Sequence, residues 1–187
     1  MKTLRIFAMV ACFVSVSVLA YPRPGGTLSA VRLNGKTGGL VSGGAWTSNS
    51  MVGKVRVVFY VDPDEKELND HVGRAIDKAE LDQAYYGSVA IIKMGATWMP
   101  GFAVGHALKA KQKQYPRAVY VKDLKKQLVK RWGLADHGYD VIVLDAQSTV
   151  LYYGRGKLSE AHTKRVVDTL RDAIAESKKN AAEAKTE

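Results

Sequence analysis

The chain has 187 residues, 28 Lys plus Arg against 18 Asp plus Glu for a formal net charge of +10, 47% apolar residues and a single cysteine. That length suits one domain, and the composition is globular rather than disordered or collagen-like. One cysteine excludes a disulfide-stapled miniprotein, a cysteine-based structural zinc module and a Cys-x-x-Cys oxidoreductase.

Lys2 and Arg5 precede an apolar stretch from Ile6 to Ala20 broken only by Ser15 and Ser17, and Val18 and Ala20 stand at the −3 and −1 positions of a cleavage site. This predicts a secretory signal peptide over residues 1–20, cleaved after Ala20. The stretch is shorter than the roughly 20 residues a spanning helix needs, so no transmembrane segment is expected after cleavage. The weaker readings are a retained anchor, against which Pro22 and Pro24 follow at once, and a lipoprotein box at Met9–Cys12, past which apolar residues run on. Cleavage removes Lys2, Arg5 and Cys12, leaving a charge of +8 and no thiol. Such a chain makes no disulfide, no mixed disulfide with a client and no thiolate nucleophile.

Residues 21–54 are rich in Gly, Ser and Pro, and Leu28, Val31 and Leu33 alternate before Asn34-Gly35, so an N-terminal β-hairpin extension is predicted there. Val55 to Val61 reads as a buried central strand. Asp62 as N-cap, Pro63 at the first position and Glu65 completing a capping box predict a helix that runs to about Leu81. Ser88 to Lys93 is a second strand; the Trp98-Met99-Pro100-Gly101 turn leads into a helix over Phe102 to Tyr115. Ala118 to Val121 is a third strand, Asp123 caps a helix carrying Leu124, Leu128 and Trp132, and Gly133 stops it. Tyr139 to Leu144 and Val150 to Tyr153 form a hairpin, Ser159 caps a last helix with Val166, Val167, Leu170 and Ile174, and a flexible tail is expected over 177–187. Strands alternating with helices predict an α/β fold with a mixed central sheet and helices on both faces.

In this order the chain resembles the thioredoxin-like fold of the redoxin type, a three-layer sandwich, with the domain spanning residues 55–176. The resemblance is carried by the Gly53–Tyr60 strand and following helix, the Ala118–Leu134 segment ending Trp132-Gly133-Leu134, and the closing β-β-α through Ser159 to Glu176. More narrowly, residues 51–57, the Pro100-Gly101 turn with a Lys-rich helix ending Tyr115-Pro116, and Val141–Asp145 are similar to the YtfJ family of Gram-negative periplasmic proteins. The resemblance implies periplasmic localisation and no established activity. It also implies that Asp64 and Glu67 occupy the places of the two cysteines of redox-active relatives, with Asp136-His137-Gly138-Tyr139 where those relatives carry a cis-proline.

Asp62, Asp64, Glu65, Glu67 and Asp70 resemble a hard-cation ligand set, but they lack EF-hand spacing and suit the positive end of a helix; His71, His106, His137 and His162 lack the close pairing of a zinc site. No cofactor and no metal is therefore expected. Bases concentrate at Lys109, Lys111, Lys113, Arg117, Lys122, Lys125, Lys126, Lys130 and Arg131 against one acid, whereas residues 62–82 hold eight acids against three bases. A patch of this kind suits anionic envelope components or an acidic periplasmic protein, or only solvates the surface; nucleic acid is disfavoured for an exported chain. The expected function is a non-redox periplasmic binding or interaction module, more a binder than an enzyme. The alternatives are a thiol-independent hydrolase or metal-dependent enzyme using Asp64 and Glu67, and a binder of anionic envelope components through the basic patch.

Overall fold

The Val-rich run becomes β4 (Val55–Val61), the centre of a six-stranded sheet in a computed structural model that describes residues 21–95 and 101–186. β5 (Tyr86–Lys93) pairs parallel with β4, and β6 (Val119–Asp123) pairs parallel with β5. On the other side β7 (Tyr139–Leu144) runs antiparallel to β4, and β8 (Val150–Arg155) closes that edge. The opposite edge is β2 (Gly38–Leu40), antiparallel to β6. A side chain at Gly38 would collide with the Lys122 carbonyl, and φ is +134° there, so only glycine allows this edge to seat.

Because alternate strand residues point to opposite faces, the sheet separates two cores. On one face Val55, Val57, Val61, Val141 and Val143 pack under α1 (Asp70–Lys78), α2 (Gly101–Gln114) and α4 (Glu160–Glu183). On the other, Val58, Tyr60, Ile91, Val121 and Ile142 pack under α3 (Gln127–Trp132) and a small sheet of β1 (Arg32–Leu33) with β3 (Trp46–Thr47). Trp46 and Trp132 meet edge-to-face at 6.5 Å in this second core, and the Trp132 indole N–H donates to Ser29 O at 2.8 Å. The three-layer α/β architecture read from the sequence is the one observed.

Five details differ from the sequence reading. α3 starts at Gln127 behind a left-handed Lys126, so Leu124 is outside the helix, although Asp123 still accepts from the Gln127 and Leu128 amides. The antiparallel pair of the N-terminal extension does not turn at Asn34-Gly35: Asn34 is extended, residues 35–37 form a 3₁₀ turn, and β1 pairs with β3 while β2 joins the main sheet. The Asp62 signal caps only a 3₁₀ turn (Pro63–Glu65), its carboxylate accepting from Asp64 N at 3.1 Å. α1 begins eight residues later than Asp62, after Asn69, whose side chain is taken by Gly156 O and Leu158 N. The segment expected to be a tail from 177 continues α4 to Glu183, where Lys178 pairs with Asp82 at 2.7 Å. The predicted signal peptide and the turn at Trp98-Met99-Pro100 lie outside the described residues. No helix among the described residues is long and apolar enough to cross a membrane.

Candidate functional site

At the C-terminal ends of β4 and β5, on the α3 face, the strand alternation that elsewhere delivers Val and Ile delivers polar side chains instead. Tyr60, Lys93, Asp123 and Asp140 have no solvent exposure, and Asp62 is 3% exposed. The ladder sets Lys93 opposite Asp123, Tyr60 opposite Asp140 and Asp140 opposite Arg155.

Buried charges persist only where they are paired or hydrogen-bonded, and each here is. Lys93 Nζ donates to the carbonyls of Ala135 and Asp136 at 3.0 Å each and of Gly138 at 3.4 Å, and lies 5.1 Å from the Tyr60 ring centroid. Burial pushes its ammonium below the usual lysine range, opposed by the charges of Asp62, Asp140 and Asp136. Asp140 accepts from Ala135 N at 2.9 Å, from the Tyr153 hydroxyl at 2.8 Å and from Arg155 Nε at 3.1 Å. Asp123 accepts from the amides of Gln127 and Leu128 at 2.9 and 3.0 Å and from the Tyr60 hydroxyl at 3.1 Å. Burial, then Asp123, holds that phenol far above its ordinary range. Arg155 also donates to Gly133 O at 2.7 Å.

The network fixes the loop 133–138. Lys93 and Asp140 bind its backbone from below, and Lys126 pairs with Asp136 at 2.6 Å from α3's side, holding that carboxyl below its usual range. Across from this loop, Asp62 N donates to Gly138 O at 3.1 Å, and the Asp62 carboxylate stands 3.8 Å from His137 Nδ1. Asp64 and Glu67 are exposed on the segment between β4 and α1. This end of the sheet is thus a hydrogen-bonded seam rimmed by exposed carboxylates.

The histidines are engaged separately. His71 bonds Leu158 O at 2.8 Å, His162 bonds the Tyr152 hydroxyl at 2.9 Å, and His106 is exposed on α2. Among the described residues no three His, Cys, Asp or Glu side chains gather as a metal-binding group. The nine bases divide between layers. Lys109, Lys111 and Lys113 project from α2 over one core, Lys125, Lys126, Lys130 and Arg131 surround α3 over the other, and Arg117 and Lys122 lie on the β6 edge. Sequence reasoning missed Lys93, Asp140 and Arg155; for Lys93 and Asp140 the available signal was a charge inside an apolar strand at a core-facing position, whereas Arg155 is exposed at the end of β8.

The family described as "Bacterial protein of unknown function (YtfJ_HI0045)" matches residues 37–173. No curated protein matches the sequence. Among solved structures, the thiol peroxidase of Chromobacterium violaceum superposes with a TM-score of 0.58 at 17% identity, over 81% of this chain and 88% of its own. The peroxiredoxin-like protein of Aquifex aeolicus gives 0.56 at 10% identity, over 82% and 88%. The exposed lipoprotein thioredoxin of Streptococcus pneumoniae gives 0.53 at 12%, over 75% and 98%. These likenesses show a thioredoxin-like fold.

Proposed function

We propose, for a chain that belongs to the YtfJ_HI0045 family, that it works as an exported, redox-inactive binding or interaction module on a thioredoxin-like scaffold. The observation that carries this reading is the chemistry of the redox end. Residues 62–67 contain no cysteine, and the single cysteine of the chain, Cys12, falls in the stretch read as a signal peptide. Carboxylates at 64 and 67 offer charge and hydrogen-bond acceptors but cannot form the thiolate that attacks a disulfide. The Lys93–Asp140 seam supports a binding role, since it holds the backbone of the 133–138 loop by hydrogen bonds from buried side chains.

Mass-tagging with a maleimide–polyethylene glycol reagent tests this on the protein recovered from the periplasm of a Gram-negative host and denatured. The expected result is an unshifted band at the mass of residues 21–187. A single-adduct shift would overturn the claim that the working form carries no thiol.

A further inference from the structure

On the face of the sheet away from the Lys93 seam, the central strands are not fully covered. Central strands flanked by helices are ordinarily buried on both faces, yet Phe59 on β4 and Ser88 and Ala90 on β5 are each only half-buried. They floor an open cavity of about 260 Å³ between α1 and α2. At about 30 Å³ per water molecule it holds on the order of nine, just under the roughly 300 Å³ at which ligand pockets begin and therefore suited only to a small ligand. Three small residues make the space: Ser88 and Ala90 below, and Gly73 in the wall.

Gly73 sits inside α1, where glycine costs about 1 kcal/mol relative to alanine. Its backbone does not call for glycine, and a Cβ there would meet nothing within 4 Å. It is therefore a helix-weakening residue with no packing reason, and the space it leaves open is the cavity.

The walls are chemically specific. Asp70, Arg74 and Asp77 follow one another along one face of α1 at i, i+4 and i+7, all exposed and all lining the cavity, and Lys111 faces them from α2. Among the described residues neither Arg74 nor Lys111 lies within ion-pair distance of a carboxylate, although Asp70 and Asp77 are helix neighbours of Arg74. The hydroxyls of Tyr115, Tyr120 and Tyr139 have no hydrogen-bond partner among the described residues. Burial and then Asp70 raise the Tyr139 phenol, and burial, Tyr115 and Asp77 raise Tyr120, so both remain donors at neutral pH. Phe59 and Tyr139 meet edge-to-face at 6.1 Å as an apolar platform.

Two cations, two carboxylates, unpaired phenols and an aromatic platform match neither a simple anion nor a simple cation, each of which would meet like charge. We propose that this cavity is a binding site for a small zwitterion of amino-acid or dipeptide size, its carboxylate held by Arg74 and Lys111, its ammonium by Asp70 or Asp77, and its apolar group on Phe59 and Tyr139.

Calorimetric titration of the protein with L-phenylalanine, Phe-Ala, 3-phenylpropionate and phenethylamine tests this, with amide chemical-shift mapping to locate binding. The expected result is binding of at least one of the first two, with shifts at residues 74, 90, 111 and 139, and at least tenfold weaker binding of the two probes that lack one charge. Gly73→Leu fills the cavity with a better helix former, and it should abolish binding while the melting temperature is kept or raised. Failure of both zwitterions to bind at millimolar concentration, equal binding of a singly charged probe, or unchanged binding by a stably folded Gly73→Leu would each overturn the proposal.

Discussion

Lys93 occupies a strand position that period-two alternation assigns to the core, and its ammonium faces three backbone carbonyls. Removing it by Lys93→Met leaves the Ala135 and Asp136 carbonyls without that donor, a loss of about 1–3 kcal/mol by the usual cost of an unpaired buried acceptor. The pH dependence has a definite sign. Burial lowers the folded-state pKa below the unfolded lysine value. Between the two values the unfolded chain binds more protons, so this residue makes stability rise with pH. Lys93→Met lacks that gain. Urea unfolding at pH 7 and at pH 10 should therefore show the wild type gaining on the variant in alkali; a gap that narrows would contradict the downward shift that burial imposes on Lys93.

Among the elements, the two capped helices α3 and α4 differ in what their caps also support. The Ser159 hydroxyl accepts only the His162 amide at the start of α4, at 3.3 Å. Asp123 accepts two amides of α3 and the buried Tyr60 hydroxyl, tying helix to sheet. Ser159→Ala should cost about 1 kcal/mol, the ordinary value of a cap, and Asp123→Ala about 2–4 kcal/mol, because an unpaired buried hydroxyl is added. Thermal or urea unfolding of the two variants checks the order; equal losses would contradict it. The existence of helices α2, α3 and α4 and of strands β4 to β8 was legible in the sequence from apolar pattern and stop signals, with Ser159 capping α4 as read, but α3 starts at Gln127 behind a left-handed Lys126, so Leu124 lies outside it. The start of α1 was not, because Asp62, Pro63 and Glu65 fit a 3₁₀ turn as well as a helix, and Asn69 is engaged by residues 156 and 158, nearly ninety positions on. The seam was illegible for a related reason. Lys93, Asp123, Asp140 and Arg155 look like isolated strand-end charges until the order β6-β5-β4-β7-β8 sets them side by side.

For the whole molecule, the six-stranded mixed sheet places the 62–67 segment and the 133–138 loop together at one end, beside the C-terminal end of β4. Sheet order and helix layers are those of a thioredoxin-like fold, and residues 21–187 contain no cysteine. The same topology divides the basic stretch 109–131 between two layers, so α2 and α3 present their lysines over different cores. What the fold keeps is positional precision, in the loop pinned by Lys93 and Asp140 and in the cavity opened by Gly73, Ser88 and Ala90. That precision serves recognition as readily as it serves thiol exchange. The central claim is tested most directly by insulin disulfide reduction, measured with dithiothreitol for the protein and for its Cys12→Ser variant. The account predicts the same precipitation lag as buffer alone for both, whereas a shortened lag with the wild-type protein would contradict it.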